Sequence, residues 1–234
     1  MARLEGRVAI VTGAGKGLGK AFCLGLAREG ADIVAVTRAD MEGLQVTAKG
    51  VKALGREAIV SQVDVSNEED TLRMASEAMA RFGRIDILVN NAAYYYGVTR
   101  RSFTEITGAE WDRMMGVNVK GPWLCARAVF PAMKQQGKGK IINLASEVFF
   151  TGSQGFVHYV SPIAYARNRN DDVIHDVPVG LLKPSWDGGR GVRPKDDIRR
   201  YIAGVPRRTA GVVGGESGVA GLAGFRLAAR DPAI

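Results

Sequence analysis

The segment from residue 8 to residue 19, VAIVTGAGKGLG, limits the folds open to this chain more than any other. A short apolar run ends at Gly13, and glycines at alternating positions lead into a helical pattern. Apolar runs bounded by glycine are typical of buried strands, and glycine permits a sharp strand-to-helix turn. Free backbone N–H groups and the positive end of the helix dipole favour an anionic group there. The segment therefore predicts a strand, a turn and a helix that bind a pyrophosphate.

Apolar runs and helical patterns alternate through the first 146 residues. The predicted strands span residues 8–12, 33–36, 59–65, 85–89 and 140–144. The predicted helices span residues 18–29, 40–54, 67–82 and about 110–136. Nearly continuous apolar strands that alternate with helices predict a parallel sheet with helices on both faces. We therefore expect an α/β, Rossmann-type doubly wound fold that binds its ligand beyond the carboxyl ends of the strands.

The pattern weakens after Ser161. Eleven glycines and five prolines are scattered over residues 163–234. Two short apolar pieces, 177–182 and 219–227, are the candidates for a strand and a helix. We therefore divide the chain into a Rossmann-type core, residues 1–161, and a divergent C-terminal segment of the same domain, residues 162–234.

Composition argues against several classes of protein. A chain of 234 residues with 46% hydrophobic residues can bury a complete core. No apolar run approaches the roughly 20 residues that cross a bilayer, and the N-terminal residues lack a secretory signal pattern, so we expect a cytoplasmic protein. Cys23 and Cys125 are far apart, which predicts neither a disulfide framework nor a metal site. The net charge of +8 leaves a basic nucleic-acid-binding module as an alternative, although no basic stripe is interleaved with aromatic residues.

The glycine loop matches the pattern TGxxxGxG and does not match GxGxxG. This spacing resembles the cofactor loop of the short-chain dehydrogenase/reductase family. The resemblance covers about residues 5–161 and implies that the loop binds a nicotinamide dinucleotide. The loop residues implied are Thr12, Gly13, Lys16, Gly17, Leu18 and Gly19.

Three further motifs carry the same resemblance. Asp64 and Val65, at the end of the third predicted strand, resemble the pair that contacts adenine. Asn91 lies in NNAA, which resembles the family motif NNAG with Ala93 in place of the glycine. Asn118 in GVNVKG resembles the asparagine that holds a water molecule in the proton relay of the family.

A serine and a tyrosine complete the resemblance, because Ser146 precedes Tyr159 by 13 residues. In the family the serine polarises the substrate oxygen and the tyrosine hydroxyl transfers a proton, while hydride passes between nicotinamide and carbon. The resemblance therefore implies an NAD(P)(H)-dependent oxidoreductase that interconverts a small secondary alcohol and a ketone. It also implies a homodimer or homotetramer.

The end of the second predicted strand favours NADP(H) over NAD(H). An acidic residue there would bind the ribose of NAD and repel the 2′-phosphate of NADP. This chain has Thr37 and Arg38, and Lys16 adds a second positive charge. Arginine presents a planar fork of donors to a phosphate. Asp40 falls at the predicted start of a helix, so we do not assign it to the ribose.

One catalytic position departs from the family, which has a lysine four residues after the tyrosine. Here that position is Ile163. A tyrosine with a pKa of about 10 needs a shift of about 2 to 3 units to act as a base near neutrality, and an ammonium about 4 Å away supplies on the order of 4 kcal/mol. Arg167 is too far along a helix to replace the lysine. The alternative is a non-catalytic nucleotide-binding relative.

Pro162 predicts a further change. Ser161 and Pro162 favour an N-cap and the first residue of a helix, so Tyr159 is expected to precede that helix. The family pattern is lost beyond this point. A shifted reading frame is one hypothesis, and it fails if no other frame past the Ser161 codon encodes Ser-Lys followed by an apolar helix.

Aromatic residues lie near the expected mouth of the site. Tyr94, Tyr95 and Tyr96 follow NNAA, and Phe149 and Phe150 follow the predicted serine. Rings bury a large area in a fixed geometry, so Tyr94, Tyr95 and Phe149 are candidates for stacking on a cyclic or aromatic ketone. Core packing or subunit contact explains them equally well.

Overall fold

The computed structural model describes residues 2–95, 97–146, 155, 157–159 and 174–178, the last range as backbone alone. A parallel sheet has the strand order β3-β2-β1-β4-β5-β6. Its strands are β1 Val8–Thr12, β2 Asp32–Thr37, β3 Ala58–Gln62, β4 Ile87–Asn90, β5 Lys140–Ala145 and β6 Ile174–Pro178. The predicted doubly wound α/β fold is confirmed.

Five α-helices connect the described strands. They are α1 Gly17–Arg28, α2 Met41–Lys52, α3 Glu68–Phe82, α4 Gly108–Met115 and α5 Gly121–Gln135. A π-helical segment, Gly116–Lys120, joins α4 to α5. The long predicted helix is therefore continuous, but it contains a wider π-helical turn between two α-helical parts. Asp40 caps α2 and Asn67 caps α3, each by accepting a backbone N–H of the first turn. The helix starts predicted from these two residues are therefore confirmed.

The sheet separates two apolar cores, because successive side chains of a strand point to opposite faces. Ala9 and Val11 of β1 pack with buried residues of α1 and α2, such as Leu26 and Leu44. Val8 and Ile10 belong to the second core, with buried residues of α3 and α5. Covering helices on both faces keep the strands in place and leave their carboxyl ends open for a ligand.

Two predicted strand boundaries are wrong. The third predicted strand continues to residue 65, whereas β3 ends at Gln62, which pairs with Thr37 at the end of β2. Without a partner strand beyond Thr37, the chain turns away. The fourth was predicted to start at residue 85, but Ile85 donates its N–H to the Gln136 side chain, and β4 starts at Ile87.

The C-terminal segment contributes β6 to the same sheet. Ile174–Pro178 runs parallel to β5, with Ile141 opposite Ile174 and Ala145 opposite Pro178. The predicted strand over residues 177–182 overlaps β6 at its first two residues, β6 begins three residues earlier, and residues 179–182 lie outside the described residues. The helix predicted over residues 219–227 lies outside the described residues.

Candidate active site

A cavity of about 380 Å³ lies where β1, β2, β4 and β5 end. The order of the strands explains its position, because β1 has β2 on one side and β4 on the other. The connection after β1 leads to β2 on one side, whereas the connection after β4 leads to β5 on the other side, so a crevice opens between the ends of β1 and β4. Twelve of the predicted site residues line this cavity: Gly13, Lys16, Gly17, Leu18, Arg38, Asp64, Val65, Asn91, Tyr94, Tyr95, Asn118 and Tyr159.

The glycine loop is too tightly packed for side chains. Gly13 has a φ of +66°, and a Cβ on Gly19 would lie 2.1 Å from the Gly13 carbonyl oxygen. A Cβ on Gly15 would lie 2.7 Å from Oδ2 of Asp40. Lys16 is the N-cap of α1, and a lysine side chain has no acceptor with which to satisfy the first N–H groups of the helix. The loop thus offers bare backbone at the start of a helix, as a pyrophosphate site requires.

Thr12 and Asn91 fasten the loop to β4. The Thr12 hydroxyl donates to the Val89 carbonyl and accepts the N–H groups of Asn91 and Ala92, at 3.0 and 2.9 Å. The Asn91 amide donates to the carbonyls of Thr12 and Gly13, at 2.8 and 3.2 Å. Thr12 is buried and, like Gly19, lies outside the cavity lining. These contacts set the shape of the loop from behind.

The far end of the cavity carries charges of both signs. Arg38 is exposed, and Gln62 holds its backbone carbonyl at 2.9 Å. The Asp64 carboxylate accepts the N–H and hydroxyl of Ser66, at 2.9 and 2.6 Å. Asp40 was predicted as a helix start only, but its carboxylate also lines the cavity while it accepts the N–H of Gly43.

Asn118 lies in the π-helical segment and holds the chain that follows β4. Its amide oxygen accepts the N–H of Tyr94 at 2.8 Å, and its amide nitrogen donates to the Tyr94 carbonyl at 3.3 Å. The same nitrogen also donates to Sδ of Met114 at 2.9 Å. The asparagine side chain therefore fixes the backbone of one tyrosine at the cavity wall. Its role in a water relay stays a prediction.

Ser146 and Tyr159 meet through a side-chain hydrogen bond. The Tyr159 ring also contacts the Tyr95 ring, with centroids 5.1 Å apart and planes tilted by 48°. Burial raises the pKa of Tyr159 above its usual value, the Ser146 hydrogen bond acts to lower it, and the neighbouring Tyr95 adds to the rise. Residues 157–159 are helical, so Tyr159 lies within a helical turn, whereas the helix start expected at Ser161 and Pro162 lies outside the described residues. The contacts of Tyr159 with Tyr95 and Ser146 hold this turn. The preference of Pro162 for the first residue of a helix did not indicate these contacts.

Several predicted positions lie outside the described residues. They are Tyr96, Phe149, Phe150, Ser161, Pro162, Ile163 and Arg167.

A family model described as short chain dehydrogenase matches residues 7–162. The chain belongs to the short-chain dehydrogenase/reductase family. The match ends one residue after Ser161, where the sequence pattern departs from the family.

Named relatives agree with this membership. The chain is 32% identical over 194 residues to a hydroxy(phenyl)methylsuccinyl-CoA dehydrogenase subunit of Thauera aromatica, covering 79% of this chain and 77% of that protein. It is 34% identical to a 3-oxoacyl-(acyl-carrier-protein) reductase of Staphylococcus aureus, covering 65% and 61%. The crystal structure of carveol dehydrogenase from Mycobacterium avium in complex with NAD superposes with a TM-score of 0.67, at 29% identity, over 70% of this chain and 63% of that one. The chain thus spans less than two thirds of the reductase and of carveol dehydrogenase.

Two structural contacts near the family site were missed from the sequence. His158 is buried beside Tyr159, with Nε2 3.2 Å from a carboxylate oxygen of Glu110, which also pairs with Arg101. The Arg101 N–H donates to the Gly155 carbonyl at 3.1 Å. Burial, and then the Arg101 charge, lower the pKa of His158. These contacts hold the tyrosine turn against the chain around α4, and no sequence pattern links positions so far apart.

The second missed contact involves Arg113, which lines the cavity. Its guanidinium lies over the Tyr94 ring, 4.5 Å from the centroid. The sequence could have indicated this contact, because Arg113 is a charged residue five positions before Asn118 on the same predicted helix.

Among the described residues, no group of His, Cys, Asp and Glu has an arrangement that would hold a metal ion. None of the helices in the part of the chain that the structure describes is long and apolar enough to cross a membrane.

Proposed function

We propose that this chain is an NADP(H)-dependent oxidoreductase that interconverts a small secondary alcohol and a ketone. The observation that carries the proposal is a single cavity that joins the glycine loop to Tyr159, whose hydroxyl is hydrogen-bonded to Ser146. A phosphate-binding loop and a proton-transferring tyrosine on one cavity are what hydride chemistry on a carbonyl requires.

The residues fit a nicotinamide dinucleotide. The bare backbone at Gly13 and Gly19 suits a pyrophosphate, because a Cβ at either position would meet backbone or side-chain atoms within 3.0 Å. Asp64 and Val65 would hold the adenine end, and Asn91 keeps the loop in the shape this needs. When bound, the nicotinamide would supply or accept the hydride.

The preference for NADP(H) rests on two cations. Arg38 and Lys16 both line the cavity, and an arginine fork matches the 2′-phosphate. Asp40 lies at the same end, and its carboxylate would repel the 2′-phosphate of NADP(H). The structure of carveol dehydrogenase, a relative, is in complex with NAD. Titration with NADPH and NADH, read from cofactor fluorescence, tests the preference. Arg38→Ala should weaken NADPH binding about tenfold and leave NADH binding nearly unchanged.

The protonation state of Tyr159 favours ketone reduction. Its raised pKa keeps the phenol protonated at neutral pH, so it can donate its proton to the developing alkoxide, while Ser146 donates to the same oxygen. Alcohol oxidation needs the phenolate, which forms only above the raised pKa. In the family the missing lysine would lower that pKa, and Ile163 brings no charge.

The raised pKa also supports a second candidate, a nucleotide-binding relative without turnover. NADPH titration followed by a screen of ketones at neutral pH separates the two. Binding with turnover supports the enzyme, binding without turnover supports the second candidate, and no binding defeats both. Ile163→Lys should raise the rate of alcohol oxidation near neutral pH, and an unchanged rate would show that the lysine is not the only defect.

Assembly and location are part of the same proposal. We infer a cytoplasmic homo-oligomer, a dimer or tetramer, with contacts through α4 and α5. Trp111, Trp123 and Phe130 of these helices are 37%, 55% and 44% exposed, which leaves apolar surface for a second copy to cover.

A further inference from the structure

Arg113 occupies a defined place at the wall of the cavity. It lies on α4, is exposed to solvent, and stacks its guanidinium 4.5 Å from the centroid of the Tyr94 ring. Both residues line the cavity that contains Tyr159. The guanidinium is therefore part of the surface that a substrate meets.

The contact with the Tyr94 ring leaves donors of Arg113 available. A guanidinium carries five N–H groups in a fixed fork, and one aromatic ring cannot engage all of them. Asn118 grips the Tyr94 backbone on both the N–H and the carbonyl, so the ring that supports the arginine is anchored. A planar anion can accept two of these N–H groups with little further ordering of the side chain.

Arg113 differs from other stacked arginines in its charge partners. Arg81 lies over Phe82 and pairs with Glu57 at 2.8 Å, and Arg127 lies over Trp123 and pairs with Glu68. Within residues 2–95 and 97–146, no carboxylate forms an ion pair with Arg113.

The acidic groups of the cavity are engaged at its other end. Asp40 caps α2, and Asp64 accepts two hydrogen bonds from Ser66. Lys16 and Arg38 lie at that same end, by the glycine loop and the end of β2. Of the three cationic residues in the described cavity lining, Arg113 is the one that contacts a tyrosine. It lies over the ring of Tyr94, and the next residue, Tyr95, contacts the ring of Tyr159.

We propose that Arg113 on Tyr94 forms an anion subsite that selects ketones or alcohols carrying a carboxylate. This inference specifies the substrate class of the proposed function. It rests on that proposal, because the proposal places the reacting carbonyl at Tyr159. The carboxylate accepts two N–H groups of Arg113 while the carbonyl oxygen lies at Tyr159 and Ser146.

Two probes of similar size test the subsite, 4-acetylbenzoate and the neutral 4-acetylbenzamide. Their dissociation constants are measured by calorimetry or ligand-observed NMR on the full chain, with and without NADPH. The wild type should bind the acid about tenfold more tightly than the amide, since one charge-assisted bidentate pair separates them. Arg113→Gln should abolish the preference, Arg113→Lys should keep part of it, and salt should reduce it.

Arg81→Gln is the matched control, because it removes one stacked arginine outside the cavity lining and should leave the preference as in the wild type. An equal acid-to-amide ratio in wild type and Arg113→Gln, or no binding of either probe, overturns the subsite. Weaker NADPH binding by Arg113→Gln also overturns it, because the arginine would then serve the cofactor. An Arg113-dependent preference without any NADPH binding supports the subsite and defeats the proposed function, so the two failures are distinguishable.

Discussion

Tyr159 is the residue on which activity depends in the proposed mechanism. Its hydroxyl is hydrogen-bonded to Ser146, and its ring is partly buried against Tyr95. Burial and the second phenol both oppose ionisation, and the serine only partly offsets them. The acid form of this tyrosine is therefore the form present at physiological pH.

Removal of the hydroxyl should stop turnover and spare cofactor binding. Tyr159→Phe is expected to lower kcat for ketone reduction by about 10²- to 10⁴-fold, the usual worth of a positioned acid. Arg81→Gln is the control, because its side chain lies outside the cavity lining. Steady-state kinetics and an NADPH titration measure both effects. Full activity of Tyr159→Phe would falsify the assignment.

The pH dependence follows from the direction of the pKa shift. Because the pKa of Tyr159 is raised, the phenol persists to pH values above about 10, and the phenolate appears only beyond that. Ketone reduction should thus be flat around neutral pH, whereas alcohol oxidation should still be rising with pH at about 10. An oxidation profile that levels off near pH 7 would mean that another group lowers this pKa.

At the scale of elements, β1, the glycine loop and the start of α1 act as one unit. Thr12 and Asn91 tie the loop to β4, and Gly19 packs on the Gly13 carbonyl. A methyl group at Gly19 would lie 2.1 Å from that oxygen, so α1 would have to move away from the loop. The proposed phosphate site depends on that approach.

Gly19→Ala should therefore lower the melting temperature and abolish measurable NADPH binding. Gly108→Ala is a matched control, because nothing lies within 4 Å of its added Cβ. Differential scanning fluorimetry with and without NADPH compares the two. Normal NADPH affinity in Gly19→Ala would show that the loop tolerates a wider packing than its geometry indicates.

Asp86 precedes β4, and its carboxylate links that strand to the start of β1. Its buried carboxylate accepts the Val8 N–H at 3.0 Å and is hydrogen-bonded by Arg84 and Arg7. Burial acts to raise the pKa of Asp86, but the hydrogen bonds from Arg84, Val8 and Arg7 outweigh it and leave the pKa below its usual range. The stabilisation is therefore present above the unfolded pKa of about 3.9 and is lost as pH falls through the lower folded value.

Asp86→Asn should cost about 1 to 3 kcal/mol of unfolding free energy at pH 7, because the buried Val8 N–H and two partly exposed arginines lose a charged acceptor. The difference from wild type should shrink as pH falls below about 4, where the wild-type carboxylate also becomes protonated. Denaturant unfolding at several pH values measures this. Asp112→Asn, at an exposed position, should show no such trend. A constant difference across pH would contradict the charge argument.

At the scale of the whole molecule, the exposed rings of α4 and α5 predict self-association. Trp123→Glu should shift a dimer or tetramer towards monomer in light scattering, because a charge cannot be buried in an apolar contact without cost. Val46→Glu, at a 48% exposed position of α2 on the other side of the sheet, should leave the mass unchanged. A monomeric wild type would contradict the proposed assembly.

The C-terminal segment adds a strand to the sheet of the core. The family match stops at residue 162, yet Ile174–Pro178 returns to the sheet beside β5. Backbone pairing needs no particular side chains, so a strand can add to an open edge even where the family pattern is lost. The nucleic-acid alternative depends on residues of this segment, most of which lie outside the described residues, and it stays a prediction.

Local patterns in the sequence were enough to predict much of this protein. The spacing of the glycines, the alternation of strands and helices and the caps Asp40 and Asn67 depend on a few neighbouring residues, and the structure confirms the elements they predicted. The order of motifs predicted the family, and the comparisons confirm it. Packing between distant segments was not predictable in this way, because no local rule states which strand end lacks a partner or which side chains meet. The early end of β3, the helical turn at Tyr159, the grip of Asn118 on Tyr94 and the stacking of Arg113 each depend on such partners.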